Sequence, residues 1–98
     1  MSNVAVITGA AQGIGRRTAQ VLNDQGWILL LLDLQSVDVS EYTSALALAG
    51  DISDEQFVES AATQCMEKLG RVDALVNNAG ISCISSALET SAELYRKV

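Results

Sequence analysis

The sequence contains no histidine, no proline and only two cysteines. Without histidine there is no imidazole to act as a catalytic acid or base or to bind a metal. The spacing of Cys65 and Cys83 fits no zinc or redox motif, so we interpret both as reduced thiols of a cytoplasmic protein. Aromatic residues make up only 4% of the chain, whereas 49% of its residues are apolar. This composition favours aliphatic strands packed on alanine-rich helices, and we predict no metal site.

Basic residues are also scarce, with 6 Lys and Arg against 12 Asp and Glu and a net charge of −6. Nucleic acid is therefore not an expected partner, since its recognition relies on clustered basic side chains. The only basic pair, Arg16-Arg17, could help to hold a phosphate, but a solvated helix face is the favoured interpretation. The N-terminus lacks the basic region of a signal peptide. The apolar run at 27–32 is too short to span a bilayer, so no membrane partner is expected.

Short apolar runs alternate with helical patterns along the 98 residues. Strands are predicted at 4–8, 27–32, 45–49 and 72–76. The first predicted helix covers residues 13–25. The second begins at a capping box, with Ser53 as the N-cap and Gln56 reaching back to it, and it ends at Gly70. The third begins at another capping box, formed by Thr90 and Glu93. On the middle helix, one face carries Phe57, Val58, Ala61, Ala62, Cys65 and Leu69.

Residues 35–44 have room for no more than a turn or two of helix. This element order predicts an α/β fold with a Rossmann-type parallel sheet, strand order 3-2-1-4 and flanking helices. We expect residues 1–98 to be the N-terminal part of a single domain of this kind that is incomplete at its C-terminus.

A glycine loop lies between the first strand and the first helix, with glycines at 9, 13 and 15. Glycines allow a backbone to approach a bulky anion, and the helix N-terminus supplies free N–H groups and a positive dipole. Glycine-rich turns occur in many α/β proteins, so the pattern needs its context. The strand before the loop and the helix after it supply the context of a pyrophosphate site.

Asp33 ends the second strand. It follows the last glycine of the loop at close to the spacing, about 20 residues, at which a carboxylate binds the ribose hydroxyls of a dinucleotide. The alternative is an ordinary turn residue at a strand end. A carboxylate here would repel a 2′-phosphate, and the neighbouring candidates Gln12 and Leu34 are uncharged. NAD is therefore predicted in preference to NADP. Polar segments also follow the third and fourth strands, and they should meet Asp33 at one edge of the sheet.

Three motifs resemble those of the short-chain dehydrogenases/reductases. Residues 8–15, Thr-Gly-Ala-Ala-Gln-Gly-Ile-Gly, are similar to the family's TGxxxGIG signature. Residues 77–80 resemble its NNAG motif, and Asp51-Ile52 resembles its adenine-contacting pair. The resemblance covers essentially the whole chain. It implies that these residues bind the cofactor: Gly9, Gln12, Gly13, Ile14, Gly15, Asp33, Asp51, Ile52, Asn78, Ala79 and Gly80.

The resemblance also implies individual roles. The glycine loop would line the pyrophosphate, and Asp33 would bind the adenosine ribose. Asp51 would lie near the amino group of adenine, with Ile52 flanking the ring. Residues 78–80 would pass behind the cofactor, and Asn77 would tie strands together.

The family's catalytic tyrosine and the lysine four residues after it have no match here. Tyr42 is followed four residues later by Leu46, and Tyr95 has Lys97 two residues later. We therefore expect this chain to contain no catalytic residue and to show no turnover. We also expect it to fold only marginally, because half a sheet buries less of its apolar surface than a whole domain does. The full-length protein is expected to be a homo-oligomeric oxidoreductase that moves hydride between NAD(H) and an alcohol or carbonyl.

Two other functions stay open at this point. One is a non-catalytic nucleotide-binding module that ends at Val98, although such an end would fall within a helix just begun. The other is a methyltransferase that uses S-adenosylmethionine. That class would want an acidic residue before the first glycine, where this chain has Thr8.

Overall fold

A computed structural model of the chain describes residues 2–78. The strands are β1 (Val4–Thr8), β2 (Ile28–Asp33), β3 (Ala45–Ala49) and β4 (Ala74–Asn77). The helices are α1 (Gly13–Asp24) and α2 (Glu55–Lys68), and a single 3₁₀ turn covers Val39–Glu41. The predicted site residues Ala79 and Gly80, the thiol of Cys83, Tyr95 and the helix begun at Thr90 lie outside the described residues.

The four strands form one parallel sheet in the order β3-β2-β1-β4, which confirms the predicted order. In the central strand β1, Val6 lies between Leu30 of β2 and Leu75 of β4. Every residue of β1 is buried, as expected for a strand covered on both faces. Because all strands are parallel, their carboxyl ends lie along one edge of the sheet.

The two helices cover opposite faces of this sheet. On one face, Val6 and Leu30 pack with the α2 residues Val58, Ala61 and Cys65. The opposite face packs on α1 and the 3₁₀ turn, through Ala5, Ile7, Leu29, Leu31, Ala19 and Tyr42. Full burial of a leucine side chain contributes about 1.5–3 kcal/mol. Alternating aliphatic residues of β1 and β2 therefore hold both layers together.

The start of α2 differs from the prediction. The N-cap is Asp54, whose side chain accepts a hydrogen bond from the Gln56 backbone N–H, and not Ser53. The Ser53 hydroxyl instead donates to Asp51. Most of the predicted buried face is observed, with Met66 buried in addition and Phe57 and Leu69 only partly covered.

Strand β4 begins two residues later than predicted, and an ion pair between Arg71 and Asp73 lies just before it. The Arg71 guanidinium donates to both carboxylate oxygens of Asp73. Asp73 Oδ2 also accepts from the Val4 backbone N–H at 2.7 Å. These contacts hold the pKa of Asp73 below its usual value, chiefly through the Arg71 hydrogen bond. They fix β4 to the start of β1.

Candidate functional site

The glycine loop leaves β1 in a backbone conformation that favours glycine. Gly9 and Gly13 have φ angles of +64° and +63°, in the left-handed region that other residues rarely adopt. Between them, the Ala10 N–H donates to the Leu32 carbonyl at 3.3 Å. The loop thus turns tightly over the end of β2 before α1 begins.

Gly15 lies directly against the start of this loop. A Cβ atom at Gly15 would overlap the carbonyl oxygen of Gly9, and it would lie 3.0 Å from the Asn78 side-chain nitrogen. That nitrogen donates to the Thr8 carbonyl at 3.3 Å. The lack of a side chain at Gly15 therefore lets α1 pack on the carboxyl ends of β1 and β4.

The N-terminus of α1 carries no protein cap. Its N-cap residue Gln12 makes no side-chain capping bond, and the first turn contains no acidic residue. Helix α2 is different, with a capping bond to Asp54 and Glu55 in its first turn. The first N–H groups of α1 and its positive dipole end are thus suited to an anion. Ile14 is 77% exposed on this same turn.

Asp33, at the end of β2, joins the strand to the glycine loop. Its Oδ2 accepts from the Ala11 backbone N–H at 3.0 Å, and its Oδ1 accepts from the Gln35 N–H at 2.9 Å. The Gln12 side-chain amide in turn donates to the Gln35 side-chain oxygen at 3.4 Å. Sequence reasoning missed Ala11 and Gln35, because a backbone donor leaves no signal in residue identity.

The carboxylate of Asp51, in the loop after β3, accepts hydrogen bonds from one residue, Ser53. Its Oδ1 accepts from the Ser53 backbone N–H at 2.9 Å and from the Ser53 hydroxyl at 2.7 Å. The bond from the Ser53 hydroxyl, and then that from the Ser53 backbone N–H, holds the pKa of Asp51 below its usual value. The carboxylate is therefore ionised at neutral pH. Ile52 beside it is buried in the α2-side core.

A cavity of about 260 Å³ opens at this edge of the sheet. It brings together four of the predicted site residues, and its lining consists of Gly9, Leu32, Asp33, Leu34, Gly50, Asp51 and Ile52. Gln12, Gly13, Ile14 and Gly15 do not line it and lie instead at the N-terminal end of α1. Leu34, which we had considered only as an uncharged neighbour of Asp33, is 72% exposed at the rim of the cavity.

Thr8 connects β1 to the segment after β4. Its buried hydroxyl donates to the Asn77 side-chain oxygen at 3.1 Å and approaches the Val76 carbonyl at 3.5 Å. The Thr8 carbonyl accepts from Asn78, as described above. Asn77, the last residue of β4, and Asn78 after it thus both contact the last residue of β1, where the glycine loop begins.

Arg16 does not contact the glycine loop through its side chain. Its guanidinium makes two hydrogen bonds to the Glu41 carboxylate, and the side chain is 50% exposed. The pKa of Glu41 is lowered, with the hydrogen bond from Arg16 as the largest cause. Arg17 contacts Gln20 on the helix surface. These contacts agree with the helix-surface interpretation of the basic pair.

Within residues 2–78 there is no group of three His, Cys, Asp or Glu side chains that could hold a metal ion. No helix in this part of the chain is long and apolar enough to cross a membrane. Cys65 is a free, buried thiol, and burial raises its pKa to about 11.

A family model described as short chain dehydrogenase matches residues 3–98. The chain belongs to the short-chain dehydrogenase family. It is 37% identical to meso-2,3-butanediol dehydrogenase of Serratia marcescens over 103 residues, which cover 99% of the chain and 41% of that enzyme. The chain thus spans about two fifths of the length of the curated relatives it matches.

Solved structures of the family share the fold. A metagenomic short-chain oxidoreductase in complex with NADP aligns with a TM-score of 0.74 and 25% identity over 99% of this chain and 59% of its own. YwfH, an NADPH-dependent reductase, aligns with a TM-score of 0.67 and 28% identity over 78% of this chain and 36% of its own. The family therefore includes NADP-binding members of closely similar architecture.

Proposed function

We propose that the chain binds NAD, as the N-terminal part of the single dinucleotide-binding domain of a short-chain dehydrogenase. The whole enzyme would transfer hydride between NAD(H) and an alcohol or carbonyl substrate. The observation that carries this proposal is the cavity in which Gly9, Asp33 and Asp51-Ile52 meet. The name of the Serratia relative specifies an alcohol, 2,3-butanediol, which supports this substrate class.

The N-terminus of α1 fits a pyrophosphate. Its N–H groups have no side-chain cap, and no acidic residue of the first turn opposes an anion. A Cβ at Gly13 would meet no atom within 4 Å, so open space adjoins the helix start. Backbone N–H groups with a positive helix end are the donors that phosphate binding requires.

The carboxylate of Asp33 fits the adenosine ribose. Both of its oxygens already accept one backbone N–H each, but a carboxylate has about four lone-pair sites and can accept further bonds from sugar hydroxyls. A 2′-phosphate would meet like charge instead. Arg16, the first basic residue of α1, is paired with Glu41. These features support NAD over NADP in this chain.

The adenine fits the remaining cavity. Leu34 and Ile52 provide apolar walls, and the ionised Asp51 provides an acceptor for an amino group. Bound NAD would supply the hydride acceptor. The residues of this chain would bind and orient it from the adenine end to the pyrophosphate. We extend the proposal to a cytoplasmic homo-oligomer for the whole enzyme, on the free buried Cys65 and on the family resemblance.

Calorimetric titration of the 98-residue chain tests this proposal. NAD should bind at least about 10-fold more tightly than NADP, because a phosphate beside a carboxylate is repelled. Nicotinamide mononucleotide, which lacks the adenosine half, should bind more weakly than NAD. Failure of a folded chain to bind NAD would overturn the proposal, and equal affinity for NADP would overturn the cofactor preference.

The isolated 98-residue chain should bind cofactor but not turn it over. It contains no Tyr-x-x-x-Lys sequence to supply the family's general acid and base. Incubation of pure chain with NAD and 2,3-butanediol should give no NADH absorbance above the no-protein blank. Sustained NADH formation proportional to chain concentration would contradict this and show that other residues can perform the proton transfer. Binding without turnover also agrees with a non-catalytic module.

A further inference from the structure

The loop after β3 contains a serine that contacts the cavity only through a carboxylate. Both hydrogen-bond donors of Ser53, its backbone N–H and its hydroxyl, bind the same atom, Asp51 Oδ1, at 2.9 Å and 2.7 Å. A distance of 2.7 Å is typical of a hydrogen bond to a charged oxygen. Asp51 and Ile52 line the cavity, but Ser53 does not. Ser53 therefore touches Asp51 and not the space in which a ligand would lie.

Two bonds to one oxygen fix the orientation of the whole carboxylate group. Among residues 2–78, the hydrogen bonds to the Asp51 carboxylate all come from Ser53. Within this part of the chain Oδ2 accepts no hydrogen bond, and Asp51 lines the cavity. Because the bonds from Ser53 favour the charged form, Asp51 can only accept hydrogen bonds at neutral pH.

We propose that Ser53 is a positioning residue that holds Asp51 Oδ1, presents Oδ2 to the amino group of adenine and thereby makes the site selective for that base. The inference rests on the proposed function, because it requires a dinucleotide whose base lies in the cavity. It adds a selectivity determinant that touches neither the base nor the sugar.

The physical reason is the cost of turning a carboxylate away from an unfavourable partner. Adenine carries an amino group, which donates to Oδ2. Hypoxanthine carries a carbonyl oxygen at the same position, which an ionised carboxylate repels. An unrestrained Asp51 would rotate away from the carbonyl at little cost, since its side chain is exposed. A carboxylate tied at Oδ1 cannot do so without breaking the two bonds to Ser53. Ser53 therefore controls discrimination as well as affinity.

Asp51 and Ser53 form an Asp-x-Ser turn, and a second turn of this kind, formed by Asp38 and Ser40, provides a matched control. Asp38 Oδ1 accepts from the Ser40 backbone N–H at 2.9 Å, and the Ser40 side chain contributes most to lowering the pKa of Asp38. This turn precedes the 3₁₀ segment, and neither residue lines the cavity. Ser40→Ala thus removes a serine hydroxyl from a turn of the same kind without touching Asp51.

The experiment measures two affinities by calorimetry, for NAD and for its analogue with hypoxanthine in place of adenine. The wild-type chain should prefer NAD by about 10-fold, the value of one hydrogen bond to a charged group. Ser53→Ala should reduce this preference to about 3-fold or less, mainly through weaker NAD binding. Ser53→Thr, which keeps a hydroxyl, should retain the preference, and Ser40→Ala should match the wild type.

A second readout follows the carboxyl groups themselves. In an NMR titration, Ser53→Ala should raise the pKa of Asp51 towards its usual value, and Ser40→Ala should do the same only for Asp38. Because Ser53 is exposed, the variants are expected to melt near the wild-type temperature.

The outcomes separate this inference from the proposed function. If the wild-type chain binds NAD but Ser53→Ala leaves the ratio of the two affinities unchanged, Ser53 has no positioning role. Equal weakening of both nucleotides would show a purely structural effect and would also overturn the inference. If the folded wild-type chain binds neither nucleotide, the proposed function itself is wrong and the inference falls with it.

Discussion

Replacing Gly15 with alanine is expected to destabilise the chain and to remove most of its affinity for NAD. In an ordinary exposed helix, glycine to alanine stabilises by about 1 kcal/mol. Here the added Cβ would overlap the Gly9 carbonyl, and backbone cannot move aside as a flexible side chain can. Overpacking of this kind costs about 1–3 kcal/mol, so the sign of the effect should reverse. Denaturant unfolding measures this difference.

The binding loss follows from the position of the clash. Moving Gly9 away from α1 would pull the loop out of line with the helix N–H groups. Loss of two hydrogen bonds to a charged ligand, at about 1.5 kcal/mol each, corresponds to a weakening on the order of 100-fold. Calorimetry with NAD tests this value.

Gly26→Ala is the matched control for this substitution. Gly26 has a φ of +86° after α1, with no atom within 4 Å of an added Cβ and no contact with the site. Backbone strain alone should cost it about 1 kcal/mol, with NAD affinity unchanged in the folded fraction. Unaltered NAD binding by Gly15→Ala would show that the contact with Gly9 is not needed for the site.

The sheet could be predicted from sequence because its strands are almost pure aliphatic runs. Residues 4–8 and 45–49 were predicted with the observed bounds. The strand order followed from general rules for parallel sheets, and it is confirmed. The start of α2 was predicted wrongly because two neighbouring residues of similar chemistry can serve as its N-cap. Ser53 and Asp54 are both good N-caps. The Ser53 hydroxyl donates to the preceding Asp51, and Asp54 therefore caps α2.

The site was only partly accessible from sequence. Glycines and the strand-end carboxylates Asp33 and Asp51 carry a signal in their identity and spacing, and the structure brings both carboxylates to one cavity. What holds them in place carries none. The Ala11 N–H is a backbone group that any residue but proline would supply, and Gln35 contributes to Asp33 in the same way. Such contacts depend on the path of the loop, which residue type does not specify.

Asp33→Asn should weaken NAD binding and lessen the discrimination against NADP. The amide keeps one acceptor oxygen but replaces the other with an NH₂ donor, which would face the N–H of Ala11 or that of Gln35. It also removes the negative charge beside the ribose. We expect NAD affinity to fall about 30-fold, within the range for hydrogen bonds to charged groups, while NADP affinity stays level or rises. Calorimetry with both nucleotides measures the change.

A second measurement separates the two roles of Asp33. If the carboxylate also holds the glycine loop, hydrogen exchange of the Ala11 amide should become faster in Asp33→Asn without any ligand. Asp38→Asn is the control, since Asp38 makes a similar turn with the Ser40 N–H but does not line the cavity. It should leave both affinities and the exchange of Ala11 unchanged. An Asp33→Asn chain that still prefers NAD as strongly as the wild type would show that another group selects the cofactor. Unchanged exchange at Ala11 with lost NAD affinity would restrict Asp33 to the sugar, because the loop would then keep its shape without this carboxylate.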